Sequence, residues 1–173
     1  MLALALVALS ALAQQDVHAI LVQSADRKPA PTFELANKTG KKVSIADYRG
    51  KVVLLNFWAT DCGGCILEIP SFISLETTYK PKGFTAVGIS MDVSYENLKN
   101  ADEAWAKVKP FVSTHHVNYP ILMADRAVPD AYGLTAMPAT YLIDKSGKIA
   151  ATYVGVVNKE NVEANVSKLL SER

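Results

Sequence analysis

The chain has few cysteines and no excess of charge of one sign. Its 173 residues contain two cysteines, and 18 Lys and Arg residues balance 17 Asp and Glu residues to a net charge of +1. That balance argues against nucleic acid or an anionic membrane surface as a steady partner. The sequence also lacks a glycine-rich phosphate loop, an internal repeat and a long run of like charge. What remains is one domain of ordinary size with a sizeable core.

The two cysteines lie close together, separated only by Gly63 and Gly64, and they follow the apolar run Val52–Trp58. Such a run predicts a strand buried on both faces of a sheet. A strand that delivers Cys62 and Cys65 to the start of a helix favours redox chemistry, because the unpaired N–H groups and partial positive charge of a helix N-terminus stabilise a thiolate. The pair is therefore predicted to alternate between a dithiol and a disulfide.

Two other interpretations of the pair are weaker. A structural disulfide across so short a loop would constrain the unfolded chain little. A zinc site would need two more ligands, and the only other candidates of that kind are His18, His115 and His116, with no second Cys-x-x-Cys in the chain. We expect the two adjacent histidines to lie in solvent at a helix end.

The N-terminus predicts export. Residues 2–13 are almost wholly apolar and end in a small-x-small pattern, which is typical of a secretory signal and its cleavage site, although no basic residue precedes the run. The run is too short to cross a bilayer, which needs about 20 apolar residues. Residues 14–31 contain closely spaced prolines and are predicted to be an extended linker, with the compact domain beginning near Thr32.

The remaining pattern alternates strands and helices, which implies a mixed sheet with helices on both faces. We predict an N-terminal hairpin over residues 32–35 and 42–45, buried strands over 52–58 and 84–90, a short strand over 119–123, and a C-terminal hairpin over 139–144 and 148–154. Helices are predicted over 63–79, 127–132 and 159–170, with a further helix capped by Ser94, running through Leu98, Trp105 and Val108 and bent by Pro110.

Two motifs together resemble the TlpA/ResA branch of the thioredoxin superfamily. The first is Asn-Phe-Trp-Ala-Thr at residues 56–60 ahead of the Cys-x-x-Cys, and the second is Met-Pro-Ala-Thr-Tyr-Leu-Ile-Asp at residues 137–144. The resemblance extends from about Pro31 to the C-terminus. It implies a thioredoxin-like α/β fold with a mixed central sheet flanked by helices and an N-terminal β-hairpin extension. It also implies an exported or membrane-tethered thiol-disulfide oxidoreductase.

The resemblance assigns roles to the cysteines and their surroundings. It implies that Cys62 is the exposed nucleophile and Cys65 the buried resolving cysteine. Glu68 matches an acidic residue near the resolving thiol, where it could accept that thiol's proton. By position alone, an ordinary solvated carboxylate on a helix surface is the favoured interpretation of Glu68. Asn56 occupies the position where thioredoxin itself has a buried aspartate.

Further roles fall on the second motif and on an aromatic residue. Pro138 matches a proline whose preceding peptide bond is cis, beside the sulfurs. In that arrangement the backbone of Met137 could pair with an extended peptide substrate. Trp58 is expected in the core, where it could cover one side of the dithiol.

The chain departs from the family pattern at Asp61, Gly64 and Ile66, where relatives commonly have Trp, Pro and a basic residue. Asp61 would raise the pKa of a neighbouring thiol, because a carboxylate repels a thiolate. An equally good interpretation is that Asp61 ends the loop or partly caps the helix.

We expect a monomer that needs no cofactor and exchanges disulfides with protein thiols. The family implies that these substrates include the thiols of apocytochrome c. A membrane electron-transfer thiol protein would restore its dithiol. Two rival functions remain open. A peroxiredoxin-like peroxidase would want a threonine three residues before its reactive cysteine, where this chain has Ala59 and has Thr60 only two before. A copper carrier would use His115 with the cysteines.

Overall fold

The computed structural model describes residues 16–172, in which seven strands and five α-helices alternate. The strands are β1 (Glu34–Ala36), β2 (Lys42–Ser44), β3 (Val52–Trp58), β4 (Phe84–Ser90), β5 (Ile121–Met123), β6 (Ala139–Ile143) and β7 (Ile149–Val154). The helices are α1 (Gly63–Tyr79), α2 (Asp92–Tyr95), α3 (Ala101–Thr114), α4 (Ala127–Ala131) and α5 (Lys159–Ser171). Short 3-10 helices lie at Ser24–Asp26, Ile45–Tyr48 and Lys80–Lys82.

Five of the strands form a mixed sheet, as predicted, and their order is β5-β4-β3-β6-β7. Strand β3 pairs parallel with β4 and antiparallel with β6, and β7 is antiparallel to β6. The carboxyl ends of β3, β4 and β7 therefore lie at one end of the sheet. The predicted hairpin extension is a separate two-stranded sheet of β1 and β2.

Alternate residues of β3 enter two hydrophobic cores on opposite faces of the sheet. Val52, Leu54 and Trp58 join the core that contains the inner faces of α1, α3 and α5. The intervening apolar residues of β3 join the core formed with the N-terminal hairpin and α4. Because the strand is buried on both faces, its sequence is a nearly continuous apolar run.

Residues 14–31 were predicted to be a linker, and the structure differs over residues 16–31, the part of this segment that it describes. Apart from the 3-10 helix at Ser24–Asp26 the segment is extended, but it lies along β7 and covers that edge of the sheet. Val17 N–H donates to the Val156 carbonyl (2.7 Å), and Val22 N–H donates to the Ala150 carbonyl (2.8 Å). Leu21 is buried in the core. The free edge of β7 gains partners this way, which explains why an extended chain packs there rather than entering solvent. We call residues 16–31 the N-terminal strap.

Arg27 fastens the strap to the far end of the sheet. Its Nη1 donates to Asp144 Oδ2 (3.1 Å), and both terminal nitrogens donate to the carboxylate of Glu172 (2.6 and 2.8 Å). Burial opposes ionisation of Asp144, but hydrogen bonds from Ser146, Lys148 N–H and Arg27 outweigh it, so the pKa of Asp144 lies below its usual value. Asp144 therefore stays ionised opposite the buried guanidinium.

The region after β4 also differs from the prediction that Ser94 caps one long helix. Ser94 lies inside the short helix α2, and the cap of α3 is Asn100, whose side chain accepts the Glu103 N–H. Asn97 has a positive φ of 54°, which separates the two helices. Helix α3 continues through Pro110 to Thr114.

The apolar residues 2–13 lie outside the described part of the chain, so the predicted signal stays a prediction. Within residues 16–172, no helix has the length and apolar character needed to cross a membrane.

The Arg27 contacts predict that the strap unfolds together with the domain. An Arg27→Met variant leaves the Asp144 carboxylate buried without its cation, and we expect a loss of about 3 kcal/mol in the free energy of unfolding at pH 7, measured by urea denaturation. Because the pKa of Asp144 is depressed in the folded state, this contribution is present above about pH 4 and is lost as the pH falls further. Lys28→Met, at an exposed neighbour, is the matched control. Equal urea midpoints for the two variants would show that the strap is not part of the cooperative unit.

Candidate active site

The two cysteines form a disulfide at the N-terminus of α1, with 5.3 Å between their Cα atoms. Cys62 is the N-cap of the helix, and its carbonyl accepts the Ile66 N–H (3.1 Å). The strand-then-helix arrangement expected from the sequence thus places the pair at the carboxyl end of β3. Cys62 was expected to be exposed, but the residue is only 5% exposed, compared with 1% for Cys65. Gly63 is the exposed residue of the turn, because α1 packs both sulfur-bearing residues inward.

Gly64 brings the turn close to the second motif. A Cβ at this position would lie 3.2 Å from Pro138 Cδ and 3.2 Å from Val156 Cγ2. At Gly63 a Cβ would meet nothing within 4 Å. The two glycines therefore differ: Gly63 faces open space, whereas Gly64 allows close packing against Pro138 and Val156.

The Met137–Pro138 peptide bond is cis, and Pro138 is buried beside the active turn. The Pro138 carbonyl accepts the Gly155 N–H (2.8 Å), which ties the loop before β6 to the end of β7. Met137 is half-buried and packs against both hydrophobic cores. The second motif is thus brought to the disulfide, although Pro138 follows Cys65 by 73 residues in the chain.

Glu68 is buried, so the interpretation as a solvated surface carboxylate is wrong. The residue is 2% exposed and lies one turn beyond Cys65 on the inner face of α1. The Val157 N–H donates to Glu68 Oε1 (2.8 Å), and Asn56 Nδ2 donates to Oε2 (3.2 Å). Asn56 is itself buried and also donates to Thr140 Oγ1 (3.0 Å). Strand β3 therefore supplies the group that holds one oxygen of Glu68.

Burial raises the pKa of Glu68 to about 8, although the hydrogen bonds from Val157 and Asn56 favour the charged form and act against this shift. Among residues 16–172, no Lys, Arg or His forms an ion pair with Glu68. A second glutamate on the same helix face, Glu76, is buried too, but it pairs with Lys80 (3.1 Å) and accepts the Ala86 N–H (2.8 Å). Because Glu68 lacks such a cation among the described residues, its carboxyl gains and loses a proton in the same pH range as an ordinary thiol.

A second polar network, which sequence reasoning missed, holds the loop before Cys62. Asp92 is fully buried and accepts hydrogen bonds from both the N–H (3.1 Å) and the hydroxyl of Thr60. The Thr60 hydroxyl also lies 3.1 Å from Glu96 Oε1. Lys107, on α3, contacts Glu96 and donates to Asp61 Oδ2 (3.0 Å). Asp61 is thus paired with a cation and is not the helix cap.

No local pattern signals this network, because Lys107 and Asp61 are 46 residues apart. One partial signal exists: Asp92 follows the buried strand β4, so its side chain comes to the same end of the sheet as the cysteines.

Trp58 is buried in the same core as the two cysteines, as expected. Its ring packs against Phe111 at 5.2 Å between centroids, and Phe111 stacks on His115 at 4.1 Å. His115 and His116 are exposed at the end of α3, which confirms their predicted position. Of the predicted site residues, the structure brings together Cys62, Cys65, Glu68, Asn56, Trp58, Met137 and Pro138.

The rival functions gain no support from the site. The Thr60 hydroxyl is engaged by Asp92 and Glu96, and the position three before Cys62 is the buried Ala59. In the part of the chain that the structure describes, no three or more His, Cys, Asp or Glu side chains are grouped so that they could hold a metal ion.

Comparisons with known proteins agree with this geometry. Residues 24–170 match the pattern of a protein family described as Redoxin. The chain is 34% identical over 134 residues to the thioredoxin-like protein YneN of Bacillus subtilis, across 78% of this chain and 74% of that protein. It is 33% identical over 143 residues to the thiol-disulfide oxidoreductase ResA of Bacillus anthracis, across 82% of this chain and 77% of that protein. A crystal structure of a thiol:disulfide interchange protein from Chlorobium tepidum has a TM-score of 0.72 and 30% identity, covering 86% of this chain and 100% of that one.

The raised pKa of Glu68 predicts a pH-dependent stability that a Glu68→Gln variant lacks. The pKa is about 8 in the folded protein and about 4.3 in an unfolded chain, so between these values the folded state keeps a proton that the unfolded state has released. Stability should therefore fall as the pH rises through this window, by about 1.4 kcal/mol per pH unit relative to the variant.

Urea denaturation of oxidised wild type and oxidised Glu68→Gln between pH 5 and pH 8 measures this difference in stability. The contributions of the other titrating groups are nearly the same in both proteins, so they largely cancel in the difference. Parallel stability curves for wild type and Glu68→Gln would contradict the prediction.

Proposed function

The chain belongs to the Redoxin family, as a TlpA/ResA-like thiol-disulfide oxidoreductase of the thioredoxin superfamily, and we propose that it exchanges disulfides with exported proteins through Cys62 and Cys65. The observation that carries the proposal is the Cys62–Cys65 disulfide at the start of α1, with the buried Glu68 one turn behind it. Together these supply a nucleophile, a resolving thiol and a proton acceptor.

In the first step the reduced protein attacks a substrate disulfide. Cys62 is the more exposed of the two cysteines and caps the helix, so the free N–H groups of the first turn can stabilise its thiolate. The Cys62 thiolate forms a bond to one substrate sulfur, and the other substrate sulfur leaves as a thiolate. The product is a mixed disulfide on Cys62.

In the second step Cys65 resolves the mixed disulfide. Its thiol gives its proton to the Glu68 carboxylate, and the Cys65 thiolate attacks the sulfur of Cys62. The substrate leaves as a second thiolate, so two electrons have passed from the protein dithiol to the substrate. The Glu68 pKa of about 8 lies close to the ordinary pKa of a free thiol, about 8.5, and near the operating pH, which is where general base catalysis works well.

The same carboxyl serves the reverse reaction. When an incoming thiolate attacks Cys62 in the oxidised protein, Cys65 leaves as a thiolate in a buried position and needs a proton. At neutral pH most of Glu68 is protonated, because its pKa is about 8, and it can supply that proton. Glu68 thus supports electron flow in both directions.

The substrates that we propose are proteins. The surface beside the disulfide is open, with Gly63 exposed and the next residue on that helix face, Leu67, 65% exposed. Met137 lies at the end of the loop before β6, next to the Pro138 that contacts the active turn, and we propose that its backbone pairs with an extended substrate segment. Backbone pairing of this kind needs an extended peptide as its partner, which is why we propose proteins rather than small molecules.

We also propose that the enzyme works outside the cytoplasm as a monomer, either free or tethered to a membrane. The apolar residues 2–13 support this location. Thiols of apocytochrome c are proposed substrates, and a membrane thiol protein is the proposed source of electrons. The similarity to ResA, which is named a thiol-disulfide oxidoreductase, supports the reaction class.

A trapping experiment tests the roles of the two cysteines. A Cys65→Ser variant, expressed with the complete sequence, should accumulate mixed disulfides through Cys62 because the resolving thiol is absent. Non-reducing electrophoresis and peptide mass spectrometry identify the linkage and the partner. Cys62→Ser is the matched control and should trap nothing. Adducts on Cys62→Ser instead would reverse the roles, and their absence from both variants would contradict the mechanism.

The role of Glu68 predicts a specific kinetic defect. In single-turnover reactions with a disulfide peptide, Glu68→Gln should form the mixed disulfide at the normal rate but resolve it roughly a hundredfold more slowly near pH 8. The difference from wild type should shrink below the pKa, where the carboxyl is already protonated. Glu76→Gln, two turns further along the same helix face, is the control and should resolve normally. A pH-independent ratio of the two resolution rates would contradict a role as base.

A further inference from the structure

We propose that Lys107 is a positioning residue that offsets the negative charge of Asp61 and thereby keeps Cys62 reactive. This inference rests on the proposed function in one respect, which is that Cys62 is the attacking sulfur. Asp61 precedes Cys62 directly, and its side chain is 67% exposed. The ammonium of Lys107 lies 3.0 Å from Asp61 Oδ2, although the two residues belong to different elements of the fold.

The charges around this pair are unequal. Lys107 contacts the carboxylates of both Asp61 and Glu96, so one positive charge faces two negative charges. A third carboxylate, Asp92, lies behind them and is linked to the same loop through Thr60. Among the described residues, Lys107 is the only cation that forms an ion pair with any of these three carboxylates. Removing its charge would leave the N-terminal side of Cys62 strongly negative.

Lys107 also connects the loop to the body of the protein. It extends from the middle of α3, and its Glu96 partner caps the end of α2. Glu96 in turn contacts the hydroxyl of Thr60. The residue thus fixes the carboxylate of Asp61 against α3, where the opposite charge partly cancels its field.

The sign of the effect on Cys62 follows from Coulomb's law. A carboxylate beside a thiolate raises the pKa of the thiol, and a nearby ammonium lowers it. Because Asp61 and Lys107 are neighbours, their effects at Cys62 largely oppose each other. Loss of Lys107 alone should therefore raise the pKa of Cys62 and slow its reactions at neutral pH, whereas loss of Asp61 alone should do the reverse.

A double-mutant cycle on the reduced full chain tests this inference. Rates of alkylation by iodoacetamide are measured between pH 5 and pH 10, and peptide mass spectrometry assigns the product to Cys62 or Cys65. At neutral pH and low salt, Lys107→Met should alkylate roughly two- to fivefold more slowly than wild type, the range typical of exposed charge pairs. Asp61→Asn should alkylate faster. In the Asp61→Asn background, the effect of Lys107→Met should be clearly smaller.

Three controls separate charge from structure. Lys107→Arg should restore most of the wild-type pH profile, because it retains the positive charge. Lys109→Met, at an exposed position on the same helix, should behave as wild type. In about 1 M salt, where the screening length is only about 3 Å, the Lys107→Met and wild-type rates should converge.

The outcomes distinguish this inference from the proposed function. If wild type is alkylated at Cys62 and Lys107→Met has the same pH profile, Lys107 has no role and the reaction mechanism stands. If the Lys107→Met defect persists unchanged in high salt, the effect is structural and the inference is overturned. If it persists unchanged in the Asp61→Asn background, Lys107 does not act by offsetting Asp61, which also overturns the inference. If wild type is alkylated first at Cys65, both the inference and the proposed role of Cys62 fail.

Discussion

Burial of β3 on both faces is the constraint on which the fold and the site depend. All seven residues of the strand are buried, and the six apolar ones divide between the two cores. The single polar side chain among them, Asn56, would be costly in this position without partners. It finds them in Glu68 and Thr140, from a helix and from the neighbouring strand. The strand that carries the cysteines to the end of the sheet thus also fixes the carboxyl group behind them.

The two glutamates inside α1 show how the same residue type can serve two purposes. Glu76 satisfies the N–H of Ala86 and is neutralised by Lys80, which is a structural solution to burying a charge. Glu68 satisfies the N–H of Val157 but has no described cation, so the cost of burial appears as a raised pKa. Such a group is destabilising when ionised, and its retention beside a disulfide is consistent with a role in proton transfer.

The sequence was informative where structure is set by local patterns. The continuous apolar runs of β3 and β4, the loop-and-strand pattern around β6 and β7, and the cysteine pair at the start of α1 all predicted elements that the structure contains. The two motifs also identified the fold, because their combined spacing is specific. The position of Glu68 one helical turn after Cys65 was predictable from the sequence. Its burial was not, because its hydrogen-bond partners Val157 and Asn56 are distant in the chain. The pairing of Asp61 with Lys107 and the packing of the strap on β7 are likewise long-range, and the prolines near residue 30 favoured a linker.

The course of the N-terminal strap gives the domain two chemically different ends. Val17 pairs with Val156, whose side chain borders the space at Gly64, so the chain enters the fold close to the redox centre. The strap then runs to Arg27, which holds Asp144 and Glu172 at the opposite end of the sheet. A bulky fusion attached ahead of Asp16 would crowd the mouth of the redox centre and compete with incoming proteins. The same fusion attached after Glu172 would leave that approach clear.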